Sequence, residues 1–176
     1  MIAAVVLAAG ASTRFGSPKQ AVLLEPVLER VRSSDAIGDI VVVLGAHDVE
    51  STARFVRCPD WHRGPGASLR CGLAALGEET EAAVVVLADG PSLDPRAIDR
   101  VVAAWRESGA ERVAATYAGI RLHPLLLART SWSDVPDEGL RLLPAELVPC
   151  DDLDPPGDVD FADELNGRGG EAPTSS

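Results

Sequence analysis

Three features of the sequence predict an α/β fold: a three-layer sandwich with a central, mostly parallel sheet. Short runs rich in Val, Ile and Ala, at 2–7, 40–44, 83–87 and 112–117, alternate with segments of helical period at 26–33, 47–55, 68–76 and 95–108. This alternation implies parallel β-α units with helices on both faces of the sheet. The strand runs are apolar at consecutive positions, as expected of a sheet buried on both faces. Finally, 176 residues at 46% hydrophobic content suit one compact domain with a substantial core.

The elements follow in order. The run at 2–7 opens into a loop of small residues, and the helical segment 26–33 precedes the strand 40–44. Gly64, Pro65 and Gly66 stand before Ser68, which fits the cap or first turn of the amphipathic segment 68–76. The strand 83–87 ends in Asp89, Gly90 and Pro91. After Tyr117 the pattern loosens; Pro144, Pro149, Pro155 and Pro156 mark 144–157 as a loop-rich return segment with a candidate strand at 146–148. From Gly167 onward Gly, Pro, Ser and Thr carry no core pattern, so the expected organisation is a domain over 1–166 and a disordered tail over 167–176.

Charge and cysteine usage exclude several classes. A net charge of -11 opposes a generic nucleic-acid or anionic-membrane surface, while a small phosphate ligand in an arginine-lined pocket stays compatible. Three cysteines, Cys58, Cys71 and Cys150, without a C-x-x-C pair fit a reducing cytosol better than a disulfide scaffold. No apolar stretch approaches the length of a membrane span, and residues 2–9 lack the basic start of a signal peptide. A cytoplasmic protein is the expectation.

The chain's single lysine, Lys19, closes the stretch LAAGASTRFGSPKQ at 7–20, with Arg14 beside it. A strand feeding a small-residue loop with cations at its rim suits a phosphate. It is not a P-loop, because Ser17 and Pro18 separate Gly16 from Lys19; nor is it a dinucleotide fingerprint, because position 12 is Ser. Taken singly, its Gly, Ser and Arg also fit an ordinary turn with solvated cations. Asp89, at the tip of a buried strand, fits either a turn-initiating Asp or a carboxylate for Mg²⁺, which takes one or two protein carboxylates plus substrate phosphates. In sheets of this kind ligands gather at the carboxyl ends of the strands, and the loops after Leu7 and Leu87 share that edge.

The stretch at 7–20 resembles the signature "LAAG.S.R.G..KQ" of the MobA-like nucleotidyltransferases, most closely their molybdenum cofactor cytidylyltransferase branch. Further resemblances follow in the family's order: PDWHRGPGASLRCGLAAL at 59–76, VVVLADGPSLDP at 84–95, RLHPLLLART at 121–130, PDEGLR at 136–141 and GDVDFADEL at 157–165. The resemblance implies a Rossmann-like nucleotidyltransferase fold of the GT-A type. It implies transfer of a nucleoside monophosphate, CMP from CTP, to a phosphorylated small-molecule acceptor such as molybdopterin, with release of pyrophosphate. Guanylyl transfer from GTP and a non-catalytic nucleotide-binding domain are the alternatives.

By the same resemblance Leu7, Ala8, Ala9 and Gly10 present backbone to the nucleotide, while Arg14 and Lys19 hold its phosphates. Gly66 and Ser68 lie against base and ribose, with Trp61 as a packing anchor. Asp89 binds Mg²⁺, and Asp160, chosen over Asp158, supplies the second carboxylate. Arg14, Lys19 and Asp89 are the catalytic candidates. The Asp residues of GDVDFADEL equally fit a helix N-terminus. The sequence departs from the family pattern at four places: Gly90 stands where the family often has a polar residue, Phe161 and Ala162 replace Thr-Pro, Leu122 replaces the Gly before His123 and Pro124, and the segment after Lys19 is short. His123 is not expected to be catalytic, and His47 and His62 show no metal-ligand pattern. Monomer and homodimer are both compatible with the resemblance.

Overall fold

The computed structural model describes residues 1–10, 19–45 and 52–157, with the backbone alone for 19–22. Seven strands form one sheet: β1 (Ile2–Ala8), β2 (Asp39–Leu44), β3 (Arg54–Arg57), β4 (Ala82–Leu87), β5 (Arg112–Tyr117), β6 (Ile120–Ala128) and β7 (Glu146–Pro149). Their spatial order is β3-β2-β1-β4-β6-β5-β7. Only β6 runs antiparallel to its neighbours. The expected three-layer, mostly parallel α/β fold is therefore the observed one.

Alternation along β1 and β4 builds both cores, because successive side chains point to opposite faces. Ala4, Val6, Val84 and Val86 face helices α1 (Lys19–Arg32) and α3 (Pro95–Ser108). Ala3, Val5, Ala83 and Val85 face α2 (Pro65–Ala74). Helix α1 buries Leu24, Val27, Leu28 and Val31, the 3–4 spacing of one apolar stripe. Each such side chain stabilises the fold by about 1.5–3 kcal/mol relative to exposure. Helix α3 starts where the Asp94 carboxylate accepts the Arg96 N–H at 2.9 Å, followed by Pro95 in the first turn, and ends on left-handed Gly109 at φ 65°.

Four expectations are corrected. The helix expected at 26–33 begins at Lys19 and carries Pro26 in its interior, so the short segment after Lys19 is helical rather than a loop. The helix expected over 47–55 does not extend to its end: Arg54–Arg57 is an edge strand paired with Val41–Leu44, and 46–51 lie outside the described residues. Strand β6 crosses a region that reads as loosened, and the His123–Pro124 peptide within it is cis. Cys58 and Cys71 form a disulfide with their Cα atoms 5.7 Å apart, because the end of β3 lies beside α2; Cys150 is a buried thiol. The strand expected at 146–148 is β7. No helix among the described residues is long and apolar enough to cross a membrane.

Candidate active site

The carboxyl ends of β1 and β4 lie side by side, with Leu7 in register with Leu87. One further bond extends the pairing, from the Ala88 N–H to the Leu7 carbonyl at 3.0 Å. Ala8 and Ala9 are buried and Gly10 is exposed, so the chain surfaces at Gly10. Arg14 lies outside the described residues; Lys19 opens α1, and its side chain also lies outside them. The sequence thus places the backbone candidates and Asp89 on one edge.

Asp89 is half-buried and lines a cleft of about 200 Å³ at the tip of β4. The Gly90 N–H bonds the Leu87 carbonyl at 3.3 Å, a tight turn that turns the chain at Asp89. Across the cleft runs the segment Pro155, Pro156 and Gly157, held by the Ser92 N–H on the Pro156 carbonyl at 3.0 Å. A side chain at position 90 would stand 3.2 Å from Pro156 Cβ and 3.3 Å from its carbonyl, so glycine lets the segment lie close over the turn. Asp158 and Asp160 follow directly and lie outside the described residues. Among the described residues no group of three metal-ligating side chains occurs.

The loop that precedes α2 is knitted to the PDEGLR loop. Arg63 donates to Asp137 through Nε at 3.2 Å and Nη2 at 2.9 Å; Arg70 donates to the other carboxylate oxygen and to the Val135 carbonyl at 2.6 Å. The Gly66 N–H is given to the Asp137 carbonyl at 3.0 Å, and Ser68 is buried in the first turn of α2. Gly66 thus spends its N–H on this loop. Trp61 packs as an anchor against the core patch that contains Ala9 and Leu69.

The hydrogen bond from Arg70, with Arg63 adding to it, holds Asp137 below the usual carboxylate range; the bond from Arg100 holds Asp152 at about 2. Both folded-state values lie under the unfolded value of about 3.9, so their contribution is present above that pH and is lost as pH falls through the folded values. The thermal midpoint should therefore drop between about pH 4 and pH 2. Asp137→Asn should flatten that part of the curve, and an unchanged slope would remove Asp137 from the account.

His123 reaches across from β6 so that its Nδ1 lies 3.1 Å from the Val85 carbonyl of β4. Burial pushes the imidazole pKa down, against the opposing effect of that hydrogen bond, and the charge of Arg121 lowers it further. The ring is therefore neutral at pH 7. It shares the cleft with Asp89 and Leu122. The sequence signal for His123 is the His-Pro pair in RLHPLLLART, and for Asp137 the first of the two acidic residues of PDEGLR.

The chain belongs to the family described as the MobA-like NTP transferase domain, whose profile matches residues 4–141. It is thus a member of a nucleotidyltransferase family. Rv0371c from Mycobacterium tuberculosis H37Rv has a solved structure with 25% identity, covering 94% of this chain and 97% of that one at a TM-score of 0.77. A structure of the same mycobacterial protein complexed with manganese aligns at 23% identity over 94% of this chain and 96% of that one, TM-score 0.74. Molybdopterin-guanine dinucleotide biosynthesis protein A from Archaeoglobus fulgidus aligns at 18% identity over 96% and 100% of the two chains, TM-score 0.61, a likeness of fold. No curated protein sequence matches the chain significantly.

Proposed function

We propose that this protein transfers CMP from CTP to a phosphorylated acceptor, with molybdopterin the acceptor implied by the motif resemblance, and releases pyrophosphate. The observation that carries this reading is the shared edge on which Leu7, Ala8, Ala9 and Gly10 lie beside Asp89. The acceptor phosphate attacks the α-phosphorus in line, the bond to the β-phosphate oxygen breaks, and pyrophosphate leaves. A phosphate monoester is largely ionised at neutral pH, so no general base is required. Catalysis is then positioning and stabilisation of charge on the phosphoryl oxygens.

Arg14 suits the β- and γ-phosphates through its forked donors, and Lys19 the α/β region as a point charge. Gly66 and Ser68 are assigned to the wall against base and ribose. Asp89 fits a hard cation: it is a half-buried carboxylate at a strand tip, in a cleft that residues 155–157 also line. We assign Mg²⁺ to Asp89 and Asp160, where it would neutralise the nucleotide phosphates. The manganese complex of the mycobacterial relative supports a divalent cation in this fold.

Pyrophosphate release with CTP or GTP, Mg²⁺ and molybdopterin tests the reading. Faster turnover with GTP would make the protein a guanylyltransferase, and tight nucleotide binding without turnover on any acceptor would make it a binding domain. Lys19→Ala should abolish most of the thermal shift produced by Mg·CTP, because a ligand stabilises through its own affinity. An undiminished shift would take Lys19 out of the site.

A further inference from the structure

The imidazole of His123 has a defined hydrogen-bonding direction. Its Nδ1 faces the Val85 carbonyl at 3.1 Å, and a carbonyl can only accept, so Nδ1 carries the proton. In the neutral ring Nε2 is then a lone-pair acceptor. Nε2 has no hydrogen-bond partner among the described residues, and the fully buried unpaired side-chain atoms among them are Thr80 Oγ1 and Tyr117 Oη. It therefore opens onto the cleft that the ring lines.

The rest of the cleft is mostly apolar. Leu93, Leu122, Pro155 and Pro156 line it, and Asp89 and His123 are its only ionisable side chains among the described residues. A polyhydroxylated sugar would leave several hydroxyls against hydrocarbon without partners. A flat ring with a donor edge would meet apolar walls and, at His123, a neutral nitrogen acceptor.

We propose that His123 is the specificity-determining residue of the acceptor side: its Nε2 accepts a hydrogen bond from an N–H or O–H of a ring-bearing acceptor whose body lies against Leu122, Pro155 and Pro156. Naming the guest an acceptor rests on the nucleotidyl-transfer reading; the tautomer and the chemistry of the cleft do not. Discrimination arises because a guest without the donor leaves Nε2 desolvated and unpaired.

The test uses the full chain with pterin, a fused ring bearing N–H donors, and ribose 5-phosphate as the polyhydroxylated control. Pterin should bind the wild type more tightly than ribose 5-phosphate. His123→Phe should weaken pterin about tenfold, the loss of one aligned hydrogen bond, while the Mg·CTP thermal shift stays unchanged. His123→Gln, which offers an acceptor oxygen, should recover much of the affinity. A second measurement needs no variant: the nitrogen NMR resonances of the wild-type imidazole should show the Nδ1–H tautomer, with Nε2 moving as pterin saturates. Equal binding of pterin and ribose 5-phosphate, no pterin binding, a proton on Nε2, or an unmoved Nε2 resonance would each overturn the inference. Absent pyrophosphate release with these pterin results intact would reject the transfer reading and leave the cleft's chemistry standing.

Discussion

Asp89→Asn is expected to lower kcat for pyrophosphate release by about 10²–10³-fold or more, the scale seen when one group that stabilises phosphoryl or oxyanion charge is removed. The substitution keeps shape and volume and removes the charge. The turn is closed by backbone bonds, from the Gly90 N–H to the Leu87 carbonyl and from the Ala88 N–H to the Leu7 carbonyl. Titration with Mg²⁺ or Mn²⁺ separates the two roles open to this residue. If Asp89 holds the cation, the variant needs far more metal for half-maximal rate; a turn-forming role leaves the metal dependence where it was and costs stability instead. Activity within threefold of wild type at low metal would sink the assignment.

The residues that made the sheet legible are those whose pattern is local. Val5, Val6, Val42, Val43, Val84 and Val85 sit in continuous apolar runs, and burial on both faces is what such runs encode. The other misreadings depend on tertiary neighbours. Strand β6 contains Arg121, His123 and Pro124, which break its pattern, but the pairing with β5 shifts between Ala114 and Thr116, so this stretch is spared a regular ladder. Beyond the shift, Leu125, Leu126, Leu127 and Ala128 pair with β4. Strand β3, only RFVR, becomes a strand because β2 offers it an edge. Nothing in the spacing of Cys58 and Cys71 reveals a bond that requires β3 and α2 to be neighbours. The site divides in the same way: the loop after β1 and the Asp89 turn are contiguous motifs, whereas the cleft joins β4, β6 and residues 155–157 from distant parts of the chain.

Gly66 shows why a motif residue needs a physical assignment as well as a position. A Cβ there would stand 1.7 Å from the Pro136 carbonyl oxygen and 3.0 Å from the Gly139 nitrogen, both backbone atoms. Relief requires the two loops to separate, and that breaks the Gly66 N–H bond to the Asp137 carbonyl and disturbs the Arg63 and Arg70 bonds to its carboxylate. Gly66→Ala should therefore cost about 3 kcal/mol, an overpacking penalty at the upper end of the usual range. For a domain of this size that lowers Tm by roughly 6–12 °C. Ser68→Ala, two residues further into α2, removes only a hydroxyl and is the matched control for nucleotide contact. If Gly66 serves the site through loop packing, Gly66→Ala loses stability and Mg·CTP affinity together, and Asp137→Ala reproduces both losses in weaker form. A Gly66→Ala variant that keeps its Tm while losing nucleotide affinity would mean the backbone at Gly66 touches the ligand directly, and the loop-packing account would fail.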